Sequence, residues 1–361
     1  MNPPVLDIKQ AWVSRELAHD RQLFRAQFSP DGRFIAAAGQ DKLVHLWQLD
    51  GGGDGEKKMI LGGHRTWVSS LAFHPRGGQL FTADYHGIIH CWDYQEAYKP
   101  PRWTVPDADR DNVRALSVTP DGHHLISGGD DGVVKIWTTA DGKPVARLKG
   151  HAECVFSLAI SPDGGHLVSG DLFGRIRQWS IGDGWKLVRE LDATLLHTRG
   201  EDFLADVGGV RSLAFSGDGA RLAAGGMKEA KSNAFCPGKP TVLIYDWASG
   251  EKKAELGIKG KSDGPFNALR FLDDGTLVGH TELLHSESEL AFWKADQPEP
   301  LHSVKNHSGY DLCLHPDGRQ LLAACYVSGG STGNGAQGRF RKEYRPNGAA
   351  LRIFSLFAKP A

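Results

Sequence analysis

The clearest indication of the fold is the stretch Thr119-Pro-Asp-Gly-His-His-Leu-Ile-Ser-Gly-Gly-Asp-Asp-Gly-Val-Val-Lys-Ile-Trp137. Its first four residues suit a tight turn, because proline presets φ, aspartate hydrogen-bonds its own backbone and glycine accepts positive φ. Residues 133–137 form an apolar run with period-two alternation that ends on an aromatic residue, which is typical of a β-strand. Turn and strand together predict one hairpin unit.

The same turn recurs along the whole chain. It begins at residues 29, 74, 119, 161, 216, 272 and 315, with spacings of 45, 45, 42, 55, 56 and 43 residues. The copies read Ser-Pro-Asp-Gly, His-Pro-Arg-Gly, Thr-Pro-Asp-Gly, Ser-Pro-Asp-Gly, Ser-Gly-Asp-Gly, Leu-Asp-Asp-Gly and His-Pro-Asp-Gly. Each is followed by a strand pattern ending at Trp47, Trp92, Trp137, Trp179, Tyr245, Trp293 or Phe354. Seven turns in phase with seven strands predict seven copies of one all-β unit.

This pattern resembles that of the WD-repeat β-propellers, and the dense Pro-Asp-Gly turns are similar to those of bacterial members. The family's Gly-His pair is present as Gly63-His64 and Gly150-His151 and varied as Ala18-His19, and Trp92-Asp93 is a literal Trp-Asp. The resemblance implies a single seven-bladed propeller of four-stranded antiparallel blades. It also implies a non-catalytic protein-interaction module or scaffold subunit of a complex.

In this family a histidine, a serine or threonine, an aspartate and a tryptophan are hydrogen-bonded within each blade. The aspartate six residues before the tryptophan is present as Asp41 and Asp131, and Asp109 replaces the histidine of the third repeat. Other residues occupy the aspartate position in repeats two, four and six: His86, Phe173 and Glu287. We therefore expect this structural set to be complete in no repeat.

The order of the landmarks also predicts how the ring closes. Residues 12–19 fit the place of an outer strand before the first blade, whereas little chain follows Phe354. We expect residues 1–18 to supply the closing strand of blade seven, which removes exposed strand edges. The repeats are then expected at about 19–63, 64–108, 109–150, 151–205, 206–261, 262–304 and 305–361.

Strand parity predicts which face carries the long insertions. Connections between strands two and three, and links between blades, share one face, which we call the upper face; the Pro-Asp-Gly turns lie on the lower face. All the long insertions are expected on the upper face, at residues 192–208, 227–240, 280–289 and 327–349. Blades five to seven therefore form the predicted partner-binding region.

Charge and aromatic residues give this region a candidate partner site. The run from Arg339 to Arg345 carries four basic residues against one acidic residue, whereas residues 192–206 carry four acidic residues against one basic residue. This bipolar pattern favours a protein partner over a polyanion. The candidate residues are Arg339, Phe340, Arg341, Tyr344, Arg345, Lys228, Lys231, Glu201, Asp202 and, at the rim of the central opening, Trp67.

Composition narrows the class of protein. The 361 residues contain 42 Lys+Arg and 43 Asp+Glu, so the formal charge of −1 lacks the basic surplus of most phosphate-neutralising proteins. Five cysteines without a Cys-x-x-Cys pair predict free thiols in a reducing compartment. The first residues show no secretory signal pattern, and no apolar run reaches the roughly 20 residues of a membrane span, so we expect a cytoplasmic protein without a membrane partner.

Signs of catalysis, cofactors and metals are weak. Gly333-Asn-Gly-Ala-Gln-Gly338 matches a dinucleotide-binding pattern but lacks the strand and helix that give it meaning, so no cofactor is expected. His280 and His285 are interpreted as part of a solvated polar loop rather than a metal site. Two alternatives stay open: a hydrolase or lyase using the axial channel, and a nucleic-acid-binding accessory subunit.

Overall fold

The computed structural model of the chain describes residues 6–49, 58–96, 99–200, 204–231, 238–258, 264–281, 288–306, 308–327 and 347–358. In these ranges the only helices are two short 3-10 turns, Ile8–Gln10 and Thr194–Leu196. No helix in the described part of the chain could therefore cross a membrane.

Seven four-stranded antiparallel sheets form the blades of a ring. Blade one contains β2 (Leu23–Phe28), β3 (Phe34–Gly39), β4 (Leu43–Gln48) and β5 (Lys58–Gly62). Blade two contains β6 (Val68–Phe73), β7 (Gln79–Asp84), β8 (Ile89–Asp93) and β9 (Trp103–Val105). Blade three contains β10 (Val113–Val118), β11 (His124–Gly129), β12 (Val134–Thr138) and β13 (Pro144–Leu148). Blade four contains β14 (Val155–Ile160), β15 (His166–Asp171), β16 (Arg175–Ser180) and β17 (Lys186–Asp192).

The remaining blades follow the same order. Blade five contains β20 (Ser212–Phe215), β21 (Arg221–Lys228), β22 (Lys239–Asp246) and β23 (Lys252–Gly257). Blade six contains β24 (Phe266–Phe271), β25 (Thr276–Thr281), β26 (Ser288–Lys294) and β27 (His302–Asn306). Blade seven contains β28 (Gly309–Leu314), β29 (Gln320–Val327), β30 (Gly348–Ser355) and β1 (Trp12–His19). The predicted all-β propeller of seven blades is confirmed.

The recurring tetrapeptides connect the first and second strands of all seven blades. In every copy the N–H of the fourth residue, glycine, donates to the carbonyl of the first residue, at 2.8 or 2.9 Å. The seven glycines have φ between 69° and 77°, a range that only glycine adopts readily. These turns therefore fix the register of seven hairpins, as their sequence predicts.

The N-terminal strand closes the ring as expected. Strand β1 pairs antiparallel with β30, from Trp12 opposite Ser355 to His19 opposite Ala349. Leu17, which is 5% exposed, belongs to the apolar cluster between blades seven and one, together with Leu23 and Leu322. First and last blades are thus joined by backbone hydrogen bonds and by a shared core.

The structural hydrogen-bond set is complete in two blades, so the expectation that no repeat contains it was wrong. In blade two the His64 ring contacts Asp84 Oδ2 at 2.8 Å and Thr82 Oγ1 at 2.7 Å, and Trp92 Nε1 donates to the same hydroxyl. Blade four repeats this arrangement with four residues: His151, Asp171, Ser169 and Trp179. The aspartate comes from eight residues before the tryptophan, at the end of the second strand, rather than six.

The insertions differ in part from the prediction. The link entering blade five contains an additional hairpin of β18 (His197–Gly200) and β19 (Ala205–Gly208), and β21 and β22 pair up to Lys228 and Lys239. Nine residues separate the end of β4 at Gln48 from the start of β5 at Lys58, and nine separate the end of β8 at Asp93 from the start of β9 at Trp103. Both of these long connections join a third to a fourth strand and thus begin and end on the lower face. The claim that every long insertion is on the upper face is corrected accordingly.

Candidate protein-binding site at the axial opening

A β-bulge near the start of the first strand turns one residue of nearly every blade toward the ring axis. The pairing of first and second strands skips one residue in six blades: Phe24, Ser69, Arg114, Phe156, Asn267 and Tyr310. Arg211 holds the corresponding place in blade five, immediately before β20. A bulge leaves the extra residue out of the ladder and redirects its side chain. All seven residues line one cavity of about 200 Å³, which therefore lies on the axis.

The axial cavity is positively charged. Arg25, Arg114 and Arg211 line it, and no acidic residue is found among the described residues of its wall. Arg211 Nε donates to the carbonyl of Gly208 at 2.7 Å, and Arg25 Nη1 donates to the carbonyl of Tyr310 at 3.3 Å. Arg25 also donates from Nη1 to the carbonyl of Phe24 at 3.4 Å and from Nη2 to the carbonyl of Arg114 at 3.5 Å. Guanidinium groups bind anionic groups through charge-assisted hydrogen bonds, so this lining suits an anionic ligand.

Two of these arginines are held on one aromatic ring. The guanidinium of Arg211 lies 4.0 Å from the ring centroid of Phe156, and that of Arg114 lies 4.9 Å from it. Arg114 also forms an ion pair with Asp130, which lies outside the cavity wall. Cation–π contacts and the ion pair limit the rotamers of both side chains. The two positive charges are therefore held beside each other.

Aromatic side chains continue from the cavity to the rim. Trp67 is 42% exposed, and its ring meets Tyr85 at 5.6 Å and Phe24 at 5.9 Å between centroids. Phe24 in turn contacts Tyr310 edge-on at 5.5 Å. An exposed tryptophan supported by neighbouring rings loses little conformational entropy on binding, which is typical of a binding anchor.

The family comparison agrees with this architecture. The model of the family described as "WD domain, G-beta repeat" matches residues 13–48, 55–93, 101–138 and 142–180. Four WD repeats therefore lie between residues 13 and 180, within a seven-bladed β-propeller. The matched segments contain all but the first residue of the closing strand β1 and all strands of blades one to four except β17. The two blades with complete structural sets are among these four blades, whereas blades five to seven carry most of the upper-face insertions.

One relative of this propeller is a plant protein. Over 82 residues the chain is 34% identical to the U3 snoRNP-associated protein-like EMB2271 of Arabidopsis thaliana. The match spans 23% of this chain and 16% of that protein's length. The shared part therefore corresponds to about two repeats.

The propeller places the sequence-predicted site residues in different environments. Trp67 lies at the rim of the axial cavity, as described above. Lys228 ends β21, where its ammonium forms an ion pair with Glu255, and Lys231 is exposed beyond it. The other candidates lie outside the described residues: Glu201, Asp202, Arg339, Phe340, Arg341, Tyr344 and Arg345.

The seven residues that the bulges, and the corresponding place in blade five, turn toward the axis form what we call the axial ring, which was missed in the sequence. Its members directly follow the first apolar residue of each first strand, as in Val113-Arg114 and Val155-Phe156. Aligning the seven repeats on their turns would place them in one column, which is unusually rich in arginine and aromatic residues. Sequence alone could not show that a bulge turns this column inward.

Two interpretations of potential reactive residues can be compared with the structure. His280 does not lie in a solvated loop: it is fully buried in β25, with Nε2 3.2 Å from Asn306 Nδ2. His285 lies outside the described residues. Burial raises the pKa of the Cys91 thiol to about 12 and that of Cys313 to about 11. These two cysteines are therefore thiols at neutral pH, with little nucleophilic character.

Proposed function

We propose that this WD-repeat propeller is a non-catalytic interaction module that binds a protein partner on its upper face, with the axial opening as the anchor site. WD-repeat propellers in general serve as interaction scaffolds, and fold alone does not define the partner. The observation that carries the proposal is the axial cavity, which Arg25, Arg114 and Arg211 line together.

The chemistry of the opening favours an acidic partner segment with an aromatic or aliphatic side chain. Guanidinium groups bind carboxylates by paired hydrogen bonds, and three arginines line this one cavity. Trp67 and Tyr85 supply exposed aromatic surface beside this charge. The upper-face connections of blades five to seven would extend the contact area around this anchor, including Lys231 and the run from Arg339 to Arg345.

Affinity purification from the native host tests this function. The tagged full-length protein is compared with the double variant Arg114→Gln/Arg211→Gln and with Trp67→Ala by quantitative mass spectrometry. We expect one or a few proteins to be recovered with the wild type and lost with both upper-face variants. Recovery of the same proteins at equal levels by all three forms would contradict the proposed face.

A matched control changes the lower face. Asp121 and Asp163 lie in turns, where each carboxylate accepts a hydrogen bond from a backbone N–H at 2.9 Å. Asn keeps an acceptor at both positions, so Asp121→Asn/Asp163→Asn should fold normally and retain the partner. Loss of the partner with this variant but not with the upper-face variants would assign docking to the lower face.

The alternative of a nucleic-acid-binding accessory subunit has one observation in its favour. The plant relative is described as associated with a ribonucleoprotein, and an arginine-lined cavity with aromatic residues could also hold an RNA segment. Binding to single-stranded RNA should then weaken steeply with salt, by about 0.7 in log K per log salt for each neutralised phosphate. A protein partner retained after nuclease treatment favours the interaction module instead.

A further inference from the structure

Blade one lacks the hydroxyl that completes the structural hydrogen-bond set in blades two and four. Ala37 stands ten residues before Trp47, where Thr82 and Ser169 stand before their own tryptophans. In blades two and four this hydroxyl binds one nitrogen of the histidine ring while the aspartate binds the other. The corresponding histidine of blade one, His19, cannot make this contact.

A second histidine lies beside His19 in blade one. His45 Nε2 lies 2.5 Å from Asp41 Oδ2, and His19 Nε2 lies 3.5 Å from the same oxygen. The two imidazole rings are 4.4 Å apart between centroids, and the three candidate ligand atoms lie within 4.8 Å of one another. The side chains are nearly buried, with 6%, 15% and 3% exposure for His19, Asp41 and His45.

Blade three holds a cation at the equivalent place. There the three positions carry Asp109, Asp131 and Lys135, and the buried ammonium lies 2.6 Å from Asp131 and 3.4 Å from Asp109. The geometry at this point thus accommodates a positive charge between the link that enters the blade and the blade itself. Blade one has two nitrogen donors and a carboxylate at these positions, but no side chain with a fixed positive charge.

We propose that His19, Asp41 and His45 bind one Zn²⁺ ion in the upper part of the propeller, between blades seven and one. Two imidazoles and one carboxylate are a typical three-residue zinc ligand set, with water as the fourth ligand. Zinc–ligand bonds of about 2.0–2.1 Å place tetrahedral ligand atoms roughly 3.3 Å apart. The His45–Asp41 and His19–Asp41 separations of 2.5 and 3.5 Å bracket that value, and all three ligand atoms lie within 4.8 Å of one another, so side-chain rotations within the cluster would complete the site.

The surroundings of His19 suit a zinc ligand. Its Nδ1 accepts a hydrogen bond from the Arg21 N–H at 3.1 Å and lies 3.2 Å from the Arg21 carbonyl oxygen. Metal binding at Nε2 places the proton on Nδ1, so the hydrogen bond from the Arg21 N–H is given up and Nδ1 donates to the Arg21 carbonyl instead. Such a hydrogen bond orients metal-bound histidines in many proteins.

The ion would fasten the ring at its closure. His19 ends β1, which belongs to the sheet of blade seven, whereas Asp41 and His45 belong to blade one. Zinc would therefore cross-link the closing strand to the first blade, in addition to the β1–β30 pairing. We expect the ion to reduce hydrogen exchange in both strands.

Zinc titration of the chelator-treated full-length protein, in competition with a chromophoric chelator, tests this site. The wild type should bind one equivalent, and Co²⁺ at the same site should show the absorption of a four-coordinate ion. Asp41→Asn and His45→Gln should each bind zinc at least about 100-fold more weakly, since loss of an outer-shell partner alone costs 10–100-fold. Circular dichroism shows whether each variant is folded, and either folded variant is sufficient.

The matched control is His90→Gln, which changes the residue equivalent to His45 in blade two. There His64 is held on both ring nitrogens by Asp84 and Thr82, so zinc binding should equal that of the wild type. Zinc should raise the melting temperature of the wild type and of this control, but not that of Asp41→Asn. Absence of stoichiometric binding, or equal binding by wild type, Asp41→Asn and His45→Gln, would overturn the proposal and leave the cluster as a hydrogen-bonded one.

Discussion

Removing the apolar contact of the closing strand should destabilise the whole ring. Leu17 is 5% exposed and packs in the cluster shared by blades seven and one, beside Leu322 and Leu351. Leu17→Ala should lower the free energy of unfolding by about 2–5 kcal/mol, the range for buried leucines that leave a cavity. Deleting residues 1–18 should cost more and promote aggregation, because it also exposes the edge of β30.

Urea unfolding followed by circular dichroism measures this cost, and size-exclusion chromatography reports aggregation. Ala18→Ser on the same strand is the matched control, because Ala18 is exposed and surface changes usually stay within about 0.5 kcal/mol. If Leu17→Ala unfolds at the wild-type urea concentration, or if the truncated protein stays monomeric with unchanged stability, closure by β1 does not hold the ring together.

Three further predictions concern single side chains or short segments. Trp137→Ala should lower the free energy of unfolding by about 3–5 kcal/mol, because the indole ring is 6% exposed and its Nε1 donates to Ser127 Oγ at 2.9 Å. A variant that unfolds like the wild type but no longer binds the partner would instead assign Trp137 to a binding surface. Burial and the neighbouring charge of His64 lower the pKa of His90 from its ordinary value of 6.5 to about 4. The free energy of unfolding should therefore decrease as the pH falls from 6.5 toward 4, because the unfolded chain binds the proton first. His90→Gln should therefore remove about 2 kcal/mol of the stability change between pH 6.5 and 5, and equal pH dependence of both proteins in urea unfolding would refute this. Replacing Arg339, Arg341 and Arg345 by alanine should leave the melting temperature unchanged but weaken partner binding by at least about 2 kcal/mol. Wild-type affinity of this variant in a binding titration would show that the run does not contribute to the docking surface.

The fold was predictable because its signals are local and repeated. Pro-Asp-Gly turns and strands ending on aromatic residues specify the same hairpin seven times, so errors in any one repeat do not change the ring. The closing strand was also predictable, since its place before Ala18-His19 matches that of the outer strand before Gly63-His64. The hairpin of β18 and β19 was not, because its strands are only four residues long.

The candidate site was less predictable, because it depends on where side chains from distant repeats meet. Trp67 was recognised at the rim, but Arg114 and Arg211 are separated by 97 positions and meet only through Phe156. The complete structural sets were missed for a similar reason. An aspartate six residues before the tryptophan was expected, whereas Asp84 and Asp171 reach their histidines from the end of the second strand, eight residues before the tryptophan.

The most direct test of the proposed function is a calorimetric titration of the purified partner into the propeller. We predict that Arg114→Gln/Arg211→Gln weakens binding at least thirtyfold, about 2 kcal/mol, while Asp121→Asn/Asp163→Asn on the lower face binds like the wild type. Thermal unfolding of each variant confirms that the ring is intact. Wild-type affinity of the arginine variant, together with weakened binding by the lower-face variant, would contradict docking at the axial opening.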